Sequence, residues 1–490
     1  MADSTKRYIA VDLGVSDGKV VLASVTGGTV TTETLHSFSI PPVRIDGQDY
    51  WDIYAAYSGV FLGLKAAGAR KLSVESIGID AWGPGVVCLG KDGSFLGLPC
   101  LYGDVLTEPA HTRFFKRMDR RELYETAGVN VLDSHAALQL YALRRARSIA
   151  LDAAKYVLFI PDAIAYLLTG KRCCGFTSLS ASGLMDRKSR KVSRDIMSAC
   201  KVRPRRIPSV VHPGSKAARL SEEAAQATGL NRVPVMAVAG HRLASAAAAL
   251  DLPNAGTSSP ENGAAFLLTG ATSILGIGTA SPIVNDQTYE MNFSNEAGVS
   301  GANLLVKRIA GTDLLDRCMA AWNAAGRAYS PEDVARMVRE GGEPLAQLDP
   351  EDPALLSLFA SPFFDPVAAV GRYCSIRSMT APSDDAGLIH LIYSSIAEKV
   401  GDTFTKLQSV TPFRIKALNV VGEMSADAVL CQMIADECAV PVTTGPAEVA
   451  VLGNVLVQAG GAQAASGQPA LAQAALASLS ASAVTYTPGL

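Results

Sequence analysis

No apolar run in this chain reaches the roughly 20 residues that a membrane-spanning helix needs. The longest candidate, 264–280, is broken by Gly and Thr and suits two buried strands and a turn. The opening MADSTKRY has no apolar signal segment, and the closing TPGL is not a peroxisomal address. No membrane partner is expected, and a cytosolic location is the default. Excess charge is also missing. Lys and Arg number 44 against 46 Asp and Glu, a net charge of −2, without the basic footprint of a nucleic-acid partner. The nine cysteines show no CxxC pairing. Cys173 and Cys174 are adjacent, a poor arrangement for a metal or a disulfide, so reduced, buried thiols are expected.

What is present describes a well-buried α/β protein. Hydrophobic residues make up 48% and charged residues 18% of 490, too many residues for one core. A Pro-rich connection, PRRIPSVVHPG at 204–214, precedes a candidate boundary near residue 240. The expected domains are 1–240, 241–460 and an Ala/Ser/Gln-rich, partly helical tail at 461–490.

Residues 8–13 read as a strand with Asp12 near its end, and 20–25 as a returning strand. Between them, Gly14-Val15-Ser16-Asp17-Gly18-Lys19 is a small-residue turn. Such a hairpin either cradles an anion on its turn amides or is an ordinary Gly-rich hairpin. A helix is expected over 52–68, and a strand over 74–79 that ends in Asp80-Ala81-Trp82-Gly83. A hairpin is expected from 86–89 and 95–98, and helices over 139–149 and 162–168, with Pro161 at the first turn of the latter. Further on, 265–269 and 274–278 repeat the strand, small turn, strand pattern around Gly270-Ala271-Thr272-Ser273. Residues 289–295 and 299–306 look like strands. Helices follow over 314–322, 384–407, 426–438 and 447–459, with strands at 415–421 and 440–443.

The stretch VPVMAVAGHRLASAAAAL, 233–250, matters most for function. An apolar strand, 233–238, stops at Ala239-Gly240-His241-Arg242 and feeds a small-residue helix over 243–250. That puts polar residues at the carboxyl end of a sheet, where open α/β folds bind ligands.

Several ordered stretches resemble the FGGY carbohydrate kinase family, and most resemble its rhamnulokinase branch. They are VDLGVSDGKV, IGIDAWG, LQLYAL, FIPDAIAYLLTG, VPVMAVAGH with ASA after it, FSNEAGVSG, SPFFDP and VLGN, spanning about 7–460. The resemblance implies two actin-like (ribonuclease H-like) α/β domains. It implies transfer of the γ-phosphoryl group of Mg-ATP to a ketose hydroxyl. It places the sugar near Trp82, Gly83 and His241, and the nucleotide near Asp12, Gly14, Ser16, Gly18, Lys19, Gly270 and Gly422. Asp12 is also the residue that would approach Mg.

The departures are as informative as the matches. The family's proton-accepting carboxylate follows the His of the GH motif, and Arg242 stands there. A guanidinium is always protonated and has no lone pair to act as a base. Asp80 is the remaining carboxylate that could serve, and Arg242 could pair with nearby carboxylates such as Asp80. Ala271 replaces a hydroxyl residue, Arg308 and Asp316 replace Asn and Gln, and Glu423-Met424 replace glycines. Tyr102-Gly103-Asp104 replaces YRD. Two readings remain open. One is an active ketose kinase using Mg-ATP. The other is a pseudokinase that needs no cofactor and binds a sugar, a sugar phosphate or a protein partner, with Arg242 available to hold an anion.

Overall fold

The structure is a computed structural model. It describes all residues except 1–4, 84, 102–107, 131–134, 251–262, 342–345, 360–364, 466–482 and 490. Tyr102-Gly103-Asp104, most of the SPFFDP stretch and most of the tail therefore lie outside the described residues. The chain forms two compact units. The first comprises Met1–Ser258, Gly278–Leu305 and Val449–Ala481, and the second Ser259–Ile277, Val306–Glu448 and Ser482–Leu490.

The first unit is built on a mixed six-stranded sheet. Its strands are β1 (Lys6–Leu13), β2 (Asp17–Thr26), β3 (Thr29–Ser39), β4 (Ser76–Ala81), β5 (Lys216–Arg219) and β6 (Pro234–Met236), in the order β5-β6-β4-β1-β2-β3. β1 runs antiparallel to β2 and parallel to β4. The period-2 alternation of β1 sorts its side chains onto two faces. Ile9, Val11 and Leu13 join Trp51, Val60, Leu64 and Ile79 on one face, against the helix Ile53–Ala69. Tyr8 and Ala10 join Val21, Ala23, Val451 and Val455 on the other. Asp52 caps the first of these helices, its Oδ1 accepting from the amides of Tyr54 and Ala55.

The second face of β1 and β4 carries the polar residues. In the parallel register Tyr8, Ala10 and Asp12 lie opposite Ser76, Gly78 and Asp80. The helices Arg242–Ala248 and Val449–Ala465 cover this face. Gly78 is required there, because an added Cβ would fall against the side chains of Asn454, Val238 and Gln458. Gly453 is required for a tighter reason: its Cβ would collide with the backbone carbonyl of Ser245. The VLGN stretch thus brings two helices into backbone contact and points Asn454 at the sheet.

In the second unit the strands run β9-β8-β7-β10-β11-β12. They are β7 (Ala264–Thr269), β8 (Thr272–Thr279), β9 (Asn303–Ala310), β10 (Ala417–Gly422), β11 (Val442–Thr444) and β12 (Thr485–Tyr486). The helix Asp385–Val410 buries Leu388, Ile389, Ile392, Ile396, Val400, Phe404 and Leu407 at helical spacing, with Asp384 as its N-cap.

Several expectations need correction. Val86–Leu89 pairs with Tyr156–Phe159, not with 95–98, which contributes a single bridge, Leu89 to Phe95. The turn Gly90–Gly93 is present, but the longer-range pairing wins the strand. Residues 289–295 are not a strand. Asn285 caps a short helix, Asp286–Glu290, through a reciprocal bond with Thr288, and only Ser294–Ala297 is extended. The strand expected over 233–238 is ladder-paired only at Pro234–Met236. All nine cysteines are free and eight are buried. Burial pushes the thiols of Cys173 and Cys200 up to about 12, well away from reactive thiolates. No helix among the described residues is long and apolar enough to cross a membrane.

Candidate functional site

Two strand ends and one helix start meet in the first unit. Asp12 and Asp80 are paired neighbours at the ends of β1 and β4. Ala81 forms a parallel bridge with His241, and its amide donates to the Gly240 carbonyl at 3.2 Å. His241 then caps the helix Arg242–Ala248, its Nδ1 accepting from the Ala244 amide at 3.4 Å. That assignment leaves Nδ1 without its proton.

Arg242, the first residue of that helix, points at Asp12. Its Nε donates to Asp12 Oδ1 at 2.8 Å and its Nη2 to Asp12 Oδ2 at 3.2 Å. This is a bidentate guanidinium–carboxylate fork. The Asp12 side chain is 8% exposed and the Arg242 side chain 36%. The expected Arg242–Asp80 pairing is therefore corrected: Asp12 is the partner, because the fork matches both of its oxygens while Asp80 is engaged elsewhere.

Asp80 is 1% exposed. Its Oδ2 accepts from Ser245 Oγ at 2.6 Å and from Asn454 Nδ2 at 3.0 Å. Asn454 Oδ1 accepts from Gln458 Nε2, which also donates to the Ile9 carbonyl, while Ser76 Oγ donates to Gln458 Oε1. Burial drives the Asp80 carboxyl up to about 7. The Ser245 bond opposes this, the neighbouring charge of Asp12 adds to it, and the Asn454 and Gly240 bonds oppose it. Since the folded value lies above the ordinary one near 3.8, the folded state binds the extra proton between them. Stability contributed by this group is therefore full below about pH 4 and lost as pH rises through about 7. In urea unfolding, the midpoint difference between Asp80→Asn and wild type should move in favour of the variant from pH 4 to pH 7. A difference that does not change with pH would mean Asp80 is ionised throughout.

The other residues singled out by resemblance divide by unit. In the first, the turn between β1 and β2 closes with the Gly14 amide donating to the Asp17 carbonyl at 2.8 Å. The Val15 carbonyl accepts from Trp51 Nε1 at 2.8 Å, and Trp82 packs edge-on against Trp51 with centroids 5.6 Å apart. Gly18 makes room for Phe38, whose ring would lie 2.6 Å from an added Cβ. Ser16 is exposed, Lys19 lies opposite Asp12 in the ladder, and Gly83 faces open space. In the second unit, the turn at Gly270 and Ala271 is bonded back: their carbonyls accept from the amides of Thr312 and Gly311 at 3.0 and 3.1 Å. Gly422 has φ 95° and sits against Thr269, whose Oγ1 accepts from the Met424 amide at 3.0 Å. Ala271, Thr272, Arg308, Gly311, Asp313 and Glu351 line a cavity of about 360 Å³. Asp316 accepts from Thr312 Oγ1 at 2.8 Å. Thus Ala271 and Arg308 face one cavity.

Sequence reading missed Ser245, Asn454 and Gln458. Ser245 and Asn454 lie in the ASA and VLGN stretches, where nothing local says what they face, and Gln458 lies one helical turn beyond VLGN, outside every stretch singled out. The divalent ion implied at Asp12 is not matched by the donors there, since both carboxylate oxygens accept from Arg242. No group of three or more His, Cys, Asp or Glu among the described residues is arranged to hold a metal.

Comparison with known proteins agrees with this architecture. Residues 7–248 match the N-terminal domain and residues 265–462 the C-terminal domain of the FGGY family of carbohydrate kinases. The chain is 35% identical over 455 residues to a rhamnulokinase of Bacteroides thetaiotaomicron, covering 93% of this chain and 90% of that protein. It is 30% identical over 457 residues to a rhamnulokinase of Pectobacterium atrosepticum, covering 92% and 87%. Among solved structures, a gluconate kinase from Lactobacillus acidophilus superposes with TM-score 0.78 at 15% identity, covering 99% of this chain and 94% of that one. A Plasmodium falciparum glycerol kinase with ADP gives 0.75 at 13%, covering 99% and 94%. These structural likenesses bear on the fold, a two-domain α/β arrangement of the actin-like kind. With both domains matched in order, the chain belongs to the FGGY family of carbohydrate kinases.

Proposed function

We propose that this chain is a rhamnulokinase-like homologue whose phosphoryl transfer from Mg-ATP is lost or strongly reduced, and that it keeps the capacity to bind a ketose. The observation that carries this reading is Arg242 at the first position of its helix, forked onto Asp12. A group that cannot accept a proton stands where the family resemblance puts the base. Loss of a general base typically costs roughly 10²–10⁴-fold in rate. Arg242 directs Nε and Nη2 to Asp12, whose negative charge offsets the guanidinium, which favours a free ketose over a sugar phosphate as ligand. L-rhamnulose is the first to try, given the relatives' names.

One observation favours the alternative, an active kinase. A carboxyl titrating at about 7, as at Asp80, suits a general base. The two readings part in one experiment. L-rhamnulose binding is measured by calorimetry, and transfer from labelled ATP is followed across about pH 5–9. The proposed reading expects ketose heat and background transfer at every pH. Turnover rising through about pH 7 and abolished in Asp80→Asn would replace it with the active reading. Absence of ketose heat would remove the retained-binding half.

A further inference from the structure

We propose that Arg242 is a tethered counter-ion that holds Asp12 in place of a divalent cation. It rests on the Arg242 geometry and deepens the reading above without depending on lost turnover.

Asp12 lies at the strand end with its carboxylate nearly buried, and it neighbours Asp80 across the parallel ladder. A carboxylate in such a poorly solvated corner is stabilised in its charged form by a positive charge close by. A small hard cation such as Mg²⁺ meets that need with one or two carboxylates and keeps several waters. Here a guanidinium meets it instead, covering both Asp12 oxygens at 2.8 and 3.2 Å. The surroundings fit a guanidinium better than a hydrated ion. An added Cβ on Gly14 would fall against the Asp17 carboxylate and lie 3.4 Å from Arg242 Nη2. Asp17 and Arg242 therefore both close on the backbone of the β1–β2 turn, and the space beside Gly14 is taken up by side chains. The fork is also held at its base, since the helix that carries Arg242 is capped by His241 and packs through Ser245 on Gly453. A covalently attached cation has a fixed local concentration, so an ion from solution must displace it as well as bind.

The consequence is a latent ion site that appears when the guanidinium is removed. Arg242→Met keeps the stem and removes the charge. Arg242→Lys keeps a charge. Mn²⁺ uptake by nucleotide-free protein is read by electron paramagnetic resonance, with the thermal midpoint as a second readout. Wild type and Arg242→Lys should take up no Mn²⁺ that depends on Asp12, and their midpoints should not move with it. Arg242→Met should gain one bound ion per chain and a midpoint that rises with Mn²⁺. Adding Asp12→Asn to it should abolish both. If Arg242→Met does not fold alone, recovery of folded protein on refolding with Mn²⁺ supports the proposal, and failure at every Mn²⁺ concentration counts against it. Wild-type uptake that Asp12→Asn removes would overturn it, as would a folded Arg242→Met that binds no ion. The two readings fail separately. Active transfer without Mn²⁺ at Asp12 ends the pseudokinase reading alone, and Asp12-dependent Mn²⁺ in an inactive wild type ends this inference alone.

Discussion

Arg242→Asp should not restore phosphoryl transfer. Wild type given Mg-ATP and L-rhamnulose is expected to run roughly 10²–10⁴-fold below the Bacteroides thetaiotaomicron rhamnulokinase, the range that follows loss of a general base. Supplying a carboxylate at 242 looks like a repair, but three features argue against it. The exchange removes the partner of Asp12 and sets a further negative charge beside it and Asp80. Clustered carboxyls resist ionising together, so the new group would hold its proton near neutral pH. In the second unit, Ala271 and Arg308 still line their cavity, and Glu423 still follows Gly422. Steady-state assays of wild type, Arg242→Asp and the relative, side by side, decide the matter. Recovery of Arg242→Asp to the relative's rate would show that the base alone was limiting and that the second-unit changes are harmless.

Gly453→Ala should cost about 3 kcal/mol, at the upper end of what overpacking usually costs. In a helix this exchange ordinarily gains close to 1 kcal/mol. Here the methyl would meet the Ser245 carbonyl, which belongs to the backbone of a packed helix and cannot swing aside. The helices Arg242–Ala248 and Val449–Ala465 would have to part, taking Asn454 away from Asp80. Gly371→Ala, in the helix Pro366–Ile376, is the control. Nothing lies within 4 Å of its added Cβ, so it should be neutral or slightly stabilising. Urea unfolding of both variants checks the sign. Equal effects would mean that helix propensity, not the carbonyl contact, sets the outcome.

Elements with strong local signals were legible in the sequence. The helix Ile53–Ala69 begins beside Asp52 as expected, and the helix Asp385–Val410 shows its apolar spacing directly. The helix Ile160–Thr169 carries Pro at its first turn and ends at Gly170 in the left-handed region. Pairing choices were not legible. Whether 86–89 pairs with 95–98 or with 156–159 depends on distant packing, and the turn residues at 90–93 pointed to the nearer partner. The corner at Gly240-His241-Arg242 was legible as the passage from a strand to a helix, but the partner of Arg242 was not. Both Asp12 and Asp80 stand at expected strand ends, and only the fork from Arg242 and the bonds from Ser245 and Asn454 show which of them Arg242 meets.

The chain's late return to its first sheet has a consequence for biosynthesis. Ser76 bonds to Gln458, and Asp80 to Asn454, across more than three-quarters of the sequence. Tyr8, Ala10, Val21 and Ala23 find Val451 and Val455 only after nearly all of the chain has been made. A nascent chain halted after residue 250 would have one finished face on this sheet, while the other would carry only the helix Arg242–Ala248 and leave Tyr8, Ala10, Val21 and Ala23 without Val451 and Val455. Contacts this distant are slow to form, and the uncovered residues are a surface for chaperones or for aggregation until the helix Val449–Ala465 leaves the ribosome.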